Sequence, residues 1–134
     1  AYYTMESTEK GDGSMMINCE LKKTVQKQDL ALYVKSGSLK VLATPVMIAW
    51  MEEAACLCVK TEEGMTSVGI EMNARHEAAS PEGAEIRVTA RLTEQKGKRR
   101  TFEAEAWMGE KRIGSAVHKR ALVNAAKFMD RLEK

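Results

Sequence analysis

Two periodicities organise the apolar positions of this chain. Between residues 41 and 60, in VLATPVMIAWMEEAACLCVK, Val46 to Met51 and Ala54 to Val59 are apolar or small without a break, interrupted only by Glu52 and Glu53. Such a run surrounds a helical axis and predicts a helix enclosed on most sides. Thr44 followed by Pro45 pairs an N-cap residue with the residue best suited to the first helical position, so the helix is expected from about Pro45 to about Lys60.

Downstream the period changes to two. In SVGIEMNARH, Val68, Ile70, Met72, Ala74 and His76 share one parity, which places His76 on the apolar face of a strand. EIRVTARLTE repeats the pattern with Ile86, Val88, Ala90 and Leu92, and TFEAEAWM with Phe102, Ala104, Ala106 and Met108. The basic turn KGKRR at residues 96–100 joins these two as a hairpin. A fourth long strand follows in GEKRIGSAVHKRALVN, where Gly114, Ser115 and Ala116 signal a bulge or a close approach of backbone.

The flanks are less patterned. Residues 16–27 alternate loosely and predict a first strand, residues 28–41 form a loop around SGSL, and AAKFMDRLEK ends the chain with one or two amphipathic helical turns. Residues 1–15, polar and turn-rich and beginning with Ala, are expected to be a flexible N-terminal segment, part of it left by cloning; residues 16–134 are expected to form a single domain. One enclosed helix followed by a meander of long antiparallel strands is an α+β domain whose sheet wraps the helix, the hotdog arrangement.

Composition narrows the function. A chain of 134 residues is long enough to bury a core and too short for a second catalytic domain. The 21 Lys and Arg nearly balance the 19 Asp and Glu and are dispersed, so nucleic acid is not an expected partner. Cys19, Cys56 and Cys58 are an odd set without a CxxC, and with only two histidines they offer neither a zinc site nor a disulfide framework. They read as reduced thiols of a cytoplasmic protein. No apolar run of 18 residues or signal-peptide pattern supports membrane insertion or secretion.

The segments VLATPVMIAWMEEAA, NARHEAASPEG and IGSAVHKRALV together resemble the thioesterases related to fluoroacetyl-CoA thioesterase, within the hotdog superfamily. The likeness runs over about residues 15–128. It implies a catalytic set of Thr44 before the helix, Glu52 directly after a Met within it, and His76 at the end of the next strand, with Glu53 as the spare carboxylate. It also implies acyl-CoA as the substrate class and a homodimer with sites at the subunit interface, the further pairing of dimers being left open. The aromatic lid of the fluoroacetyl-specific enzyme is not evident, since residues 17–43 contain only Tyr33 as an aromatic.

The residue types suit thioester hydrolysis. A carboxylate partly desolvated among Ile48, Ala49, Ala55 and Cys56 is a stronger base or nucleophile, so Glu52 can activate water or attack to give a mixed anhydride. His76 moves protons near neutral pH, and Thr44 orients it or the water. The oxyanion would rest on backbone N–H groups at a helix N-terminus or beside Gly69, where no Cβ blocks a ligand. Trp50 and Met51 either shape an acyl pocket or belong to the core. Thr44 and Glu52 are about 12 Å apart along a helix axis, so they meet different parts of a ligand or belong to different subunits. No metal or redox cofactor is needed, CoA being part of the substrate.

Each residue also has a purely structural use: Thr44 as a cap, Glu52 paired with a buried Arg, His76 as a hydrogen-bonded core residue. His118, amid the charges of HKR, is assigned a structural or surface role, and the KGKRR turn reads as a solvated hairpin tip before it reads as a phosphate contact. Two other functions fit the same fold: a hydratase or dehydratase acting on an acyl thioester, and a module that binds acyl-CoA without turning it over.

Overall fold

The structure is a computed structural model that describes residues 3–9 and 15–133. Six strands, β1 (Tyr3–Glu9), β2 (Met15–Thr24), β3 (Met65–His76), β4 (Glu85–Lys96), β5 (Arg99–Met108) and β6 (Lys111–Asn124), form one antiparallel sheet in the order β1-β2-β4-β5-β6-β3. The helices are the short α1 (Ala31–Val34), the central α2 (Thr44–Leu57) and the terminal α3 (Ala125–Leu132). This is the α+β arrangement the sequence predicts, with every long strand near its expected place. Residues 3–9, inside the segment expected to be flexible, form a strand paired along β2.

α2 buries Met47, Trp50, Met51, Ala54 and Ala55, the i, i+3, i+4, i+7, i+8 stripe of a helix lying on a sheet. Beneath it sit the alternate residues Leu21 of β2, Ile86 and Val88 of β4, and Phe102 and Ala104 of β5. Burying a side chain as large as Phe102 or Met51 stabilises the fold by roughly 1.5–3 kcal/mol. The enclosure expected of α2 is only partial. Pro45, Ala49 and Cys56 are exposed along its other side, so within one chain the apolar run covers a single stripe.

The helix ends also differ from expectation. α2 starts at Thr44, with Ala43 as N-cap and no side-chain cap, and stops at Leu57 with Cys58 as C-cap, short of Lys60. The reduced-thiol expectation fails for two of the three cysteines: Cys19 and Cys58 form a disulfide, and Cys56 alone is free and exposed. Neighbour spacing misled because the partner of Cys58 lies 39 residues away on β2, where the helix end packs and the Cα atoms come within 5.7 Å.

One irregularity in β3 changes which of its residues face inward. Its register to β6 shifts between Gly69 and Glu71, leaving Ile70 unpaired and 47% exposed. Met72, Ala74 and His76 keep the expected inward parity, but before the bulge the parity inverts, so Ser67 and Gly69, not Val68 and Ile70, meet the inward side chains of β6.

Candidate active site

Two clusters of polar side chains gather around α2. At its N-terminus the Thr44 hydroxyl, free of capping duty, lies 2.7 Å from Nδ1 of His76. Backbone hydrogen bonds hold both elements in place. Leu42 N–H donates to the carbonyl of Ser80 at 2.8 Å, tying the approach to α2 to the loop after β3. Glu77 and Ala78 both donate to the Ile113 carbonyl, anchoring the end of β3 on β6. Gly114, the partner of His76, is the close approach foreseen in the sequence: a Cβ there would come within 2.5 Å of Met47 Sδ.

His76 is half-buried, and burial lowers its pKa below the ordinary histidine value, with the nearby main chain of Ala78 opposing. The ring is therefore neutral at pH 7. Its Nε2 is buried without a hydrogen-bond partner. A buried ring nitrogen left without a partner is uncommon. When Nδ1–H donates to Thr44 Oγ1, Nε2 is a free base, and the Thr44 O–H remains available to donate to another oxygen.

The second cluster lies two turns along the helix. Glu52 Oε2 is 3.9 Å from Nε2 of His118, a ring that is only 1% exposed. A Cβ built on Gly69 would be 3.0 Å from Glu52 Oε2, 3.2 Å from His118 Cε1 and 3.4 Å from an Nη of Arg120. All three side chains thus converge on a notch that only glycine leaves open. Glu52 itself is less desolvated than its sequence surroundings imply, its side chain being 40% exposed. Glu53, the spare carboxylate, turns to the opposite side and pairs with Lys23 at 3.0 Å.

Of the residues singled out in the sequence, Thr44 joins His76 and Glu52 joins Gly69, but no hydrogen bond or ion pair connects the two clusters among the described residues. Trp50 joins neither. It is 7% exposed in the core and lines a groove of about 680 Å³ beside Lys22, Lys23 and Trp107. The sequence assignment missed His118 and Arg120, both buried. Their signal was parity: they alternate in phase with Ala116, while the charged neighbours in HKR pointed to the surface.

The family of fluoroacetyl-CoA-specific thioesterases matches residues 25–126. A fluoroacetyl-CoA thioesterase of Streptantibioticus cattleyicolor is 36% identical over 94 residues, which span 66% of this chain and 66% of the relative, just under two thirds of its length. A solved structure of a variant of that type of enzyme in complex with fluoroacetate and CoA is 28% identical, with a TM-score of 0.76 over 83% of this chain and 95% of the other. A hot-dog-like protein from Thermanaerovibrio acidaminovorans shares the fold, with a TM-score of 0.79 at 17% identity over 86% of this chain and 87% of the other.

Proposed function

We propose, from the premise that the chain belongs to the fluoroacetyl-CoA-specific thioesterase family, that it hydrolyses a short or medium acyl-CoA to the free acid and CoA. The observation that carries this reading is the hydrogen bond of Thr44 with His76 Nδ1, beside a ring nitrogen buried without a partner. Attack on a thioester carbonyl requires a base, and neutral imidazole with a free Nε2 supplies one.

In this mechanism an oxygen nucleophile adds to the thioester carbonyl, the C–S bond breaks, and CoA leaves as the thiol. Glu52 activates water, or attacks directly to form a mixed anhydride that water then opens. When water is the nucleophile, His76 takes up its proton and returns it to sulfur; when Glu52 attacks, the departing sulfur takes its proton from solvent and His76 deprotonates the water that opens the anhydride. Thr44 holds the ring while donating its hydroxyl to the developing oxyanion. The Gly69 notch gives the acyl portion access to Glu52, and Trp50, on the same helix, lines the separate groove beside Lys22 and Trp107. The chemistry requires no metal or redox cofactor.

A homodimer is part of the proposal. Glu52 stands about 12 Å along the helix from Thr44, too far to act on one carbonyl within one chain. Among the described residues β3 is an outer strand with only β6 beside it, its Ile70 is 47% exposed, and one side of α2 is uncovered. A second copy set against these surfaces would bring Glu52 of one subunit to Thr44 and His76 of the other. A cytoplasmic location, where acyl-CoA is made and used, completes the reading; it rests on the substrate class alone, since the Cys19–Cys58 disulfide removes the reduced-thiol ground for it. No helix among the described residues is long and apolar enough to cross a membrane.

The test is CoA release from a panel of acyl-CoAs that includes fluoroacetyl-CoA, by wild type, Glu52→Ala and His76→Ala, with folding followed by circular dichroism. Loss of nearly all the wild-type rate in both folded variants supports the assignment. Binding of acyl-CoA by wild type without release of CoA would leave a binding module in its place.

A further inference from the structure

His118 is the most deeply buried ionisable side chain near Glu52, and the proposed mechanism gives it no task. Its hydrogen bonds fix its form. Nδ1 lies 2.8 Å from the carbonyl oxygen of Glu71, which can only accept, so Nδ1 carries the proton. Nε2 lies 3.1 Å from an Nη of Arg120, which can only donate, so Nε2 presents its lone pair. The ring is thus a neutral Nδ1–H tautomer, the form that burial and the neighbouring guanidinium also favour.

Arg120 is held on three sides: by Nε2 of His118, by the Ser67 hydroxyl at 2.9 Å from its Nε, and by the Ser67 carbonyl at 3.1 Å from its other Nη. A planar guanidinium with all three nitrogens engaged has one orientation. That orientation puts an Nη at the Gly69 notch together with Glu52 Oε2, both within 3.4 Å of the same point. The carbonyl accepting from His118 belongs to Glu71, the residue that ends the β3 bulge. The imidazole therefore ties the bulge, which turns Gly69 inward, to the cation facing it.

The geometry points to His118 as a positioning residue for the Glu52 half of the site: through Nδ1–H it holds the β3 bulge, and through Nε2 it fixes Arg120 at the notch it shares with the carboxylate. This inference rests on the thioesterase reading for its kinetic consequence, and on hydrogen-bond geometry alone for its structural one. Without the Nε2 acceptor, Arg120 is held by Ser67 alone, and the Nη at the notch loses its acceptor and with it a fixed position for its N–H groups. A misplacement of about 1 Å at a reacting group costs on the order of 100-fold in rate.

Two amide variants separate the bonds. Asn at 118 can keep the donor to the Glu71 carbonyl and lacks the reach to Arg120; Gln at 118 can place its oxygen where Nε2 stood. The expected result is a kcat lowered about 10- to 100-fold in His118→Asn with a smaller change in KM, and largely restored in His118→Gln. A merely structural histidine would give the reverse order, because the Glu71 bond ties β6 to β3, or equal losses that track the melting temperature.

A second readout does not depend on activity. In nitrogen-15 spectra of wild type, His118 should show a protonated Nδ1 and a bare Nε2. The signal of the Arg120 Nη–H that donates to His118, identified through Arg120→Lys, should resist solvent exchange in wild type and in His118→Gln and exchange quickly in His118→Asn. A wild type that turns over no acyl-CoA while these signals behave as described removes the thioesterase reading and leaves the positioning role standing. A protonated Nε2, or an Arg120 signal unchanged in His118→Asn, overturns the positioning role whatever the activity.

Discussion

Reduction of the Cys19–Cys58 disulfide is a direct test of how the helix is secured to the sheet. The bond closes a segment of 39 residues that begins on β2 and contains the Thr44 and Glu52 positions. The chain-entropy relation for a loop of this length gives about 4 kcal/mol of stabilisation, all of it from restricting the unfolded chain. Little in the folded state opposes that figure. Both residues are buried in the folded protein, and the Ala90 carbonyl, 3.6 Å from Cys58 Sγ, offers a reduced thiol an acceptor. For a domain whose total stability is typically 5–15 kcal/mol, the loss would lower the melting temperature by roughly 15 °C at about 4 °C per kcal/mol.

The assay has two parts. Thiol titration in concentrated guanidinium chloride without reductant should find one reactive thiol per chain, from Cys56, and three after reduction. Urea unfolding with and without a phosphine reductant should then show a lower midpoint for the reduced protein. Three thiols before reduction refute the pairing. A midpoint that does not move on reduction refutes the loop-closure reasoning, and means that the unfolded chain already holds the helix end near β2.

Three further outcomes are expected from the site. Gly69→Ala places a methyl 3.0 Å from Glu52 Oε2 and 3.2 Å from His118 Cε1; the half-exposed carboxylate yields and the buried ring does not, so acyl-CoA hydrolysis should fall at least tenfold while unfolding changes by about 1–3 kcal/mol. Equal activity in that variant would show that the notch is not used. Thr44→Val removes the hydrogen bond to His76 without a lost cap, since Thr44 caps nothing; kcat should drop about 10- to 100-fold with the melting temperature nearly unchanged, as read by steady-state kinetics and thermal scanning. Both histidines have folded-state pKa values below the unfolded one because burial disfavours their charge. The unfolded chain therefore binds more protons below about pH 6.5, and stability should fall as pH drops through that value, while the rate keeps its neutral-base plateau to more acid pH than a free imidazole allows. Urea midpoints and kcat profiles between pH 5 and 8 check both, and a rate that halves at or above the ordinary histidine pKa would contradict the burial of His76.

The sequence by itself determined the elements, because their signals are local. Period-two alternation from Glu85 to Met108 could only be half-buried strands, and the Thr44-Pro45 start with its apolar run could only be a helix. It also placed Thr44, Glu52, His76 and Gly69 in the right elements, and the close approach at Gly114 was legible from a run of small residues. The structure adds that Thr44 and His76 meet, and that Glu52 meets Gly69.

Only the tertiary structure decided the rest, and the reason is the same each time: the partner lies far along the chain. Thr44 gives up its capping role because β3 delivers His76 from 32 residues away. Gly69 faces Glu52 because one unpaired residue at the bulge inverts the parity of β3, and a two-residue period cannot reveal its own interruption. Cys58 finds Cys19 across the core, where cysteine spacing carries no signal. His118 and Arg120, charged in sequence and buried in space, owe their place to the inward parity of β6 and to hydrogen bonds that satisfy them there.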